Sequence, residues 1–173
     1  LQEQHVVVTA GGTREPIDPV RFIGNRSSGK MGFALADAVH ERGARVTLIT
    51  TVPPPRPDAY DRVHYVETVA DKREAVLTAC QSADVLLMAG AVSDFRVATP
   101  AAHKVKKQGQ RVVLELVENA DFLLELPDTF VKVDFAAETQ DLLENARHKL
   151  VRKRLALICA NDEIGRASCR ETV

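Results

Sequence analysis

Residues 11–32 form a long loop, rich in glycine and serine, between an apolar run and a helical pattern near the start of the chain. The apolar run, Val6–Ala10, is predicted to be a buried β-strand. A strand, a loop of small residues and a helix in this order are typical of anion sites in α/β proteins. Backbone N–H groups approach the anion closely there, and the helix N-terminus adds partial positive charge. The segment therefore predicts an α/β fold with a phosphate-binding loop after the first strand.

Two common phosphate-binding motifs fit this loop only in part. Gly24, Gly29 and Lys30 have the spacing of a P-loop, but Met31 stands where a serine or threonine would bind Mg²⁺. The Rossmann pattern G-x-G-x-x-G does not fit the loop either. The glycines therefore either belong to a phosphate site of another kind or serve only turns and a close helix–strand contact. The Asn, Ser, Lys and Arg residues among them favour the phosphate site.

Apolar, β-branched runs alternate with helical patterns along the rest of the chain. This alternation predicts βαβ units in a Rossmann-like, doubly wound, mostly parallel sheet with helices on both faces, in a single domain. Gly43 is predicted to cap the first helix. The predicted strands are Val6–Ala10, Arg45–Thr51, Val63–Val66, Val85–Ala89, Val112–Val117, Thr129–Phe135 and Leu155–Ala160. The predicted helices are Ser28–Arg42, Val69–Ser82, Asp121–Leu126 and Thr139–Arg154.

Composition narrows the possible partners and compartment. The net charge of −1 provides no broad basic field for nucleic acid, so an anion site must be local. No apolar run approaches the length of a membrane span. The three cysteines, Cys80, Cys159 and Cys169, lack paired metal-ligand spacing, and the histidines are scattered. We therefore expect a soluble protein of the reduced cytoplasm, without nucleic-acid or membrane partners and without a protein-held metal.

The loop resembles the signature of phosphopantothenate–cysteine ligase, and the form of the enzyme that it resembles most is the bacterial one. Further segments resemble the same family in the same order, so that the resemblance extends from Val6 to Asp162. It implies a ligase domain over residues 1–162 that is truncated at both ends. In the bifunctional bacterial members of the family a flavin-dependent decarboxylase domain precedes the ligase domain, so such a domain is a candidate fusion partner before Leu1. Residues 163–173 are similar to a translated sequencing adapter and are expected to be a non-native tail, the alternative being an ordinary polar C-terminus.

The resemblance implies a two-step reaction. The carboxylate of 4′-phosphopantothenate attacks the α-phosphate of CTP, and pyrophosphate leaves. The amine of L-cysteine then attacks the resulting acyl-cytidylate and CMP leaves, which gives phosphopantothenoylcysteine for coenzyme A biosynthesis. Mg²⁺ is expected to arrive with the triphosphate. The resemblance also implies a homodimer, with residues 93–110 as a flap over the site and part of the dimer contact.

Three residues match catalytic positions of the family. Asn25 matches the asparagine that stabilises the acyl-cytidylate, Arg21 an arginine of the second step, and Lys104 the lysine that neutralises the nucleotide in the first step. From the residues alone, Asn25 is equally a turn residue, and the alternative for Arg21 is a solvated surface arginine. The run that holds Lys104, Lys106 and Lys107 is more often a solvated face, and the last two are weaker candidates.

Fourteen further residues match ligand-binding positions of the family. Those of the first loop match nucleotide-binding positions, Gly90 to Asp94 match a motif that holds the pantothenate moiety and meets the other subunit, and the later ones match nucleotide contacts. They are Gly11, Gly12, Ser27, Gly29, Gly32, Gly90, Ala91, Asp94, Asn119, Asp121, Phe122, Phe135, Lys149 and Lys153. Several also have ordinary structural interpretations: Ser27, Asp94 and Asn119 as caps, and the two lysines as a basic helix end.

The sequence departs from the family at three positions in these motifs. Gly90 replaces an alanine, Ala120 replaces a proline, and Asp134 replaces a glycine and adds a negative side chain close to the expected nucleotide. Two other function classes stay open: an NAD(P)-dependent oxidoreductase and a non-catalytic nucleotide-binding module. The oxidoreductase lacks support because Thr50-Thr51-Val52 ends the second strand without the acidic residue that binds ribose.

Overall fold

Ten β-strands and three α-helices make up the regular structure in the computed structural model, which describes residues 1–107, 109, 111–138 and 141–162. Short 3₁₀ helices cover Pro57–Ala59, Cys80–Ser82 and Phe122–Glu125. In chain order the longer elements are β1 (His5–Ala10), β2 (Arg14–Pro16), β3 (Phe22–Gly24), α1 (Lys30–His40), β4 (Arg45–Thr50), β5 (Arg62–Tyr65), α2 (Val69–Ala79), β6 (Val85–Met88), β7 (Phe95–Val97), β8 (Leu116–Glu118), β9 (Val131–Glu138), α3 (Leu142–Arg152) and β10 (Leu157–Asp162).

Six of these strands form one parallel sheet in the order β5-β4-β1-β6-β9-β10. Chain order runs outward from β1 in both directions, which is the Rossmann arrangement. This confirms the predicted doubly wound fold. The direction of winding reverses between β1 and β6, and ligands of such sheets bind at the carboxyl ends of the strands at this reversal.

Helices cover both faces of the sheet, as predicted. On one face Val7, Ile49 and Leu86 pack in a buried cluster with Val76 of α2. On the other face Val8 and Leu48 pack with Phe33 of α1. Neighbouring residues of a strand point to opposite faces, so the uninterrupted apolar run of β1 supplies both cores. No helix within the described residues is long and apolar enough to cross a membrane.

Gly32 allows α1 to lie directly on β1. A Cβ atom at this position would be 2.6 Å from the Cβ of Ala10 and 2.6 Å from the carbonyl oxygen of Thr9. Helix propensity alone would make Gly32→Ala stabilising by about 1 kcal/mol. We expect the clash to dominate and to lower the free energy of unfolding by about 2 kcal/mol in urea titrations. The exposed control Ala34→Gly should lose about 1 kcal/mol or less, and a stabilised Gly32→Ala would contradict the close contact.

The ends of the helices differ from the predictions in detail. Ser27 is not the N-cap of α1: the cap is Gly29, which has a φ of 81° and provides no side-chain hydrogen bond. Glu41 rather than Gly43 caps its C-terminus, although Gly43 adopts a φ of 79° two residues later. Helix α2 begins with a capping box in which the side chains of Thr68 and Asp71 bond each other's backbone N–H groups.

Two predicted elements are wrong. The strand predicted over Val112–Val117 is confined to Leu116–Glu118, because the valines before it are exposed rather than packed on the sheet. Instead of an α-helix, the segment Asp121–Leu126 forms only a 3₁₀ turn. The helix predicted to begin at Thr139 begins at Leu142, and residues 139–140 lie outside the described part of the chain. Residues 163–173, including Cys169, also lie outside it.

Two antiparallel pairs were not predicted. Strands β2 and β3 form a hairpin inside the glycine-rich loop, and β7 pairs with β8 across the segment predicted to be irregular. Each of these strands has three residues, too few for a periodic pattern. The buried Glu15 fixes the first hairpin, because its carboxylate accepts a hydrogen bond of 2.8 Å from the Val69 N–H at the start of α2.

Candidate functional site

A cleft of about 1160 Å³ opens at the carboxyl ends of β1 and β6, where the winding of the sheet reverses. Its volume slightly exceeds the roughly 300–1,000 Å³ of pockets for small ligands, so it has room for more than one substrate. Five segments line it: residues 24–32, residues 88–95, residues 118–123, residues 134–136 of β9, and the end of α3. The sequence-predicted residues that line it are Asn25, Ser27, Gly29, Gly32, Gly90, Ala91, Asp94, Asn119, Asp121, Phe122, Phe135, Lys149 and Lys153.

The N-terminus of α1 faces this cleft. Lys30, Met31 and Gly32 form its first turn and all line the cleft, and the first backbone N–H groups of a helix have no partner within the helix. These donors and the helix dipole suit an anion. Gly11 and Gly12 support the loop from outside the lining. A Cβ on Gly12 would lie 2.9 Å from the carbonyl oxygen of Asn25, so this glycine lets the two strands of the loop approach.

Asn25 belongs to a hydrogen-bond network, centred on Ser93, between the loops that follow β1 and β6. The Ser93 hydroxyl donates to its side-chain Oδ1 at 3.4 Å, and the Ser93 N–H donates to Thr13 Oγ1 at 2.9 Å. Asn119 donates its side-chain amide to the Ser93 carbonyl oxygen at 2.9 Å, so it does not cap the following turn. The hydrogen bond from Ser93 to Oδ1 orients the Asn25 amide so that its Nδ2 donor is directed away from Ser93.

The far wall of the cleft carries alternating charges. Lys153 forms ion pairs with Asp134 at 3.2 Å and Asp121 at 3.3 Å, and Arg152 pairs with Asp121 at 2.9 Å. Lys149 lies on the same face of α3, one turn earlier. The charge that Asp134 adds to the cleft, which is a departure from the family motif, is therefore countered by Lys153. This wall pairs a net basic helix end with carboxylates that hold its side chains in place.

Arg21 and Lys104 lie outside the lining of the cleft, but close to one another. Arg21 pairs with Asp18 and donates to the Val105 carbonyl oxygen at 2.7 Å, which connects the first hairpin to the loop that carries the exposed Lys104. Burial by itself would raise the pKa of Asp18, but hydrogen bonds from Val20, Arg21 and Val105 hold it well below its usual range. Asp18 therefore stays ionised and fixes the guanidinium of Arg21.

The structure adds one charged residue behind the cleft that sequence reasoning missed. Lys72 of α2 is fully buried, and its ammonium donates to the Ala91 carbonyl oxygen at 3.1 Å. The helical spacing in the sequence could have indicated this burial, because Lys72 shares a helical face with the buried Val69 and Val76. Burial lowers the pKa of Lys72 to about 8.

This buried lysine predicts a pH-dependent stability. Between about pH 8 and about pH 10 the unfolded chain holds a proton at Lys72 that the folded protein has lost, so the free energy of unfolding rises with pH. The contribution reaches at most about 1.4 kcal/mol per pH unit. In urea titrations, the free energy of unfolding of wild type relative to that of Lys72→Met should increase across this range. A difference that stays constant with pH would contradict the prediction.

Comparison with known proteins places the cleft in a family. A model of the DNA/pantothenate metabolism flavoprotein C-terminal domain matches residues 1–169. The chain belongs to this family. The coenzyme A biosynthesis bifunctional protein CoaBC of Bacillus subtilis is 48% identical over 166 residues, and that of Escherichia coli K12 is 44% identical over 171 residues. Each match covers 94% of this chain but only 41% and 42% of the relative, so the chain spans about two fifths of their length.

A solved structure has the same fold as this chain. The crystal structure of the C-terminal domain of a coenzyme A biosynthesis bifunctional protein CoaBC superposes with a TM-score of 0.77 at 38% identity. The match covers 94% of this chain and 79% of that one. The resemblance inferred from the loop at residues 11–32 is therefore confirmed at the level of the family and of the fold.

Proposed function

We propose that this chain is a ligase domain that joins 4′-phosphopantothenate to L-cysteine at the expense of CTP. One observation carries the proposal: a helix N-terminus, the oriented amide of Asn25 and the basic end of α3 line a single cleft. A carboxylate is a poor electrophile, so forming an amide from it requires a nucleotide leaving group, bound cations and donors to the developing oxyanion. The cleft supplies the protein's share of these groups: cationic side chains at the end of α3, and hydrogen-bond donors at Asn25 and in the first turn of α1.

The nucleotide is proposed to bind with its phosphates between the first turn of α1 and the end of α3. Backbone N–H groups of residues 30–32 and the side chains of Lys149 and Lys153 then surround the phosphates. Phe135 and the backbone after β8 flank the base. Mg²⁺ would arrive bound to the triphosphate and would neutralise part of its charge, since this ion commonly binds through substrate phosphates and keeps several waters.

In the first step the substrate carboxylate attacks the α-phosphate of CTP, and pyrophosphate leaves. The protein contributes by aligning the two anions and by neutralising the charge that develops on the phosphate. Lys104, supplied by the loop of a second copy of the chain, is proposed to provide the closest positive charge. Arg21 is proposed to act in the second step and, through its bond to the Val105 carbonyl, to guide the same loop.

In the second step the cysteine amine attacks the acyl carbon of the acyl-cytidylate, and CMP leaves. Negative charge develops on the acyl oxygen, and the Nδ2 donor of Asn25 is proposed to stabilise it. The Ser93 hydroxyl keeps the amide of Asn25 in the required orientation. The amide formed by this step links the pantothenate carbonyl to cysteine, and no covalent enzyme intermediate is needed.

The phosphopantothenate moiety is proposed to lie along residues 90–94, with Asp94 accepting from its hydroxyl or amide groups. The names of the CoaBC relatives support a place in coenzyme A biosynthesis. The proposed compartment is the cytoplasm. Because the chain covers about two fifths of those relatives, we also propose that it is joined in its complete form to a flavin-dependent decarboxylase domain.

The functional unit is proposed to be a homodimer in which a second copy completes the cleft. Arg21 and Lys104 lie outside the lining of their own cleft: Lys104 is in the connection between β7 and β8, and Arg21 bonds to that connection at Val105. These strands expose the large apolar side chains of Phe95 (46%) and Leu116 (44%), which a partner chain would cover. The loop of one chain would then bring Lys104 to the nucleotide of the other.

Pyrophosphate release from magnesium-CTP tests the proposal. Release should require 4′-phosphopantothenate, and the amide product should appear only after cysteine is added. ATP in place of CTP tests the choice of nucleotide, and substantially faster release with ATP would overturn the CTP assignment. Retained CTP binding without release would favour a non-catalytic module. A response to NADPH without CTP binding would favour the oxidoreductase.

A further inference from the structure

The loop after β6 is held from behind by a buried charge. Lys72 lies on the inner face of α2 with no exposed surface, and its ammonium donates to the Ala91 carbonyl oxygen at 3.1 Å. No ion pair of Lys72 is recorded among the described residues. Burying an ammonium group without a carboxylate partner is costly, so a side chain of this kind needs a compensating role.

The compensating role of Lys72 is to fix the position of the loop after β6. The Ala91 carbonyl oxygen also accepts from the Thr13 N–H at 3.1 Å, and the Gly90 N–H donates to Thr9 Oγ1 at 2.9 Å. Lys72 thus completes a set of bonds that fixes residues 90–91 to α2, to β1 and to the loop after β1. Both residues line the cleft, so their backbone forms part of the surface that contacts a ligand.

Gly90 lies directly against the ammonium group of Lys72. A Cβ atom on Gly90 would lie 2.8 Å from the Lys72 ammonium nitrogen, closer than to any backbone atom around it. The next contacts, at 3.0 Å, are to the Ala10 nitrogen and the Gly11 carbonyl oxygen. The glycine therefore provides the space that the ammonium occupies.

We infer that Lys72 is a positioning residue for substrate binding, paired with Gly90: its buried ammonium holds residues 90–91 in the conformation that receives the pantothenate moiety. This inference rests on the proposed function for the identity of the ligand. Lys72 contacts no substrate itself. Its effect is expected on the affinity for 4′-phosphopantothenate, and neither on the affinity for CTP nor on the chemical step.

Steady-state kinetics of Lys72→Met test the functional half of the inference. We expect KM for 4′-phosphopantothenate to rise about tenfold or more, which is the scale of losing one charge-assisted hydrogen bond, while kcat and KM for CTP change little. Lys72→Gln keeps a donor and should give an intermediate KM. The matched control is Lys132→Met, which removes another buried lysine, one outside the lining of the cleft. An unchanged KM in Lys72→Met would overturn the inference, as would an equal rise in Lys132→Met.

Urea unfolding of Lys72→Met, Gly90→Ala and the double variant tests the pairing without any substrate. Gly90→Ala should destabilise the protein through close contacts with the ammonium and with the backbone of residues 10–11, and Lys72→Met should recover the part that is due to the ammonium in the double variant. Additive effects would overturn the pairing. If wild type shows no turnover, the proposed function fails. The unfolding data then still decide on the pairing. Non-additive changes in the free energy of unfolding uphold it, and additive changes reject it together with the positioning role.

Discussion

Asn25→Asp is expected to release pyrophosphate at close to the wild-type rate and to accumulate acyl-cytidylate, while formation of the amide product falls by about 10²- to 10³-fold. The substitution replaces the Nδ2 donor by an oxygen and adds a negative charge next to the developing oxyanion. The first step loses little because its charge develops on the phosphate. Rapid-quench separation of labelled nucleotide species measures both steps in one experiment.

Asn145→Asp is the matched control for this prediction. It makes the same chemical change on an exposed part of α3 outside the lining of the cleft, and should leave both steps unchanged. Normal amide formation by Asn25→Asp would contradict the role assigned to this residue. Loss of pyrophosphate release in the same variant would move Asn25 to the first step.

Lys104→Gln is expected to have the opposite pattern, with pyrophosphate release reduced by about 10²- to 10³-fold and no acyl-cytidylate detected. The change removes the positive charge that neutralises the α-phosphate but keeps a polar side chain of nearly the same length. Lys106→Gln, in the same exposed loop, is the matched control and should retain activity. Equal losses in the two variants would indicate a general effect of loop charge instead of a specific role for Lys104.

Mixing the two inactive variants tests the homodimer. If one chain supplies Lys104 to the cleft of the other, hybrids of Asn25→Asp and Lys104→Gln contain one site with both native residues. A random mixture should then recover a substantial fraction of the rate of amide formation, while each variant alone forms almost no amide. A mixture that stays inactive would mean that Lys104 acts on the cleft of its own chain.

The parallel sheet was predictable from the sequence because its central strands are buried on both faces. Continuous apolar runs such as Val6–Ala10 and Val85–Ala89 are typical of strands that are covered on both faces. Val112–Val117 has a similar composition, yet Val113 is 89% exposed, so β-branched residues alone did not indicate packing on the sheet. The short hairpins depend on contacts distant in sequence, such as Glu15 with Val69, which no local pattern reports.

The cleft was predictable in part for the same reason. The carboxyl-terminal parts of β1, β6 and β9 and the loops after them share one edge of a parallel sheet, which explains why Asn25, Gly90 and Phe135 meet at the cleft. The position of Lys104 depends on an irregular loop and was not predictable to the same degree. The pairing of Lys72 with Gly90 joins α2 to the loop after β6 and became visible only once the fold was known.

Transfer of an oxygen isotope tests the central claim most directly. In the proposed reaction a carboxylate oxygen of 4′-phosphopantothenate attacks the α-phosphate of CTP and leaves with CMP when cysteine attacks. With the carboxylate labelled with ¹⁸O, mass spectrometry should find a single labelled oxygen in each CMP formed, and none in pyrophosphate. Label in orthophosphate, with CDP as the nucleotide product, would show an acyl phosphate instead. It would contradict the acyl-cytidylate mechanism assigned to this cleft.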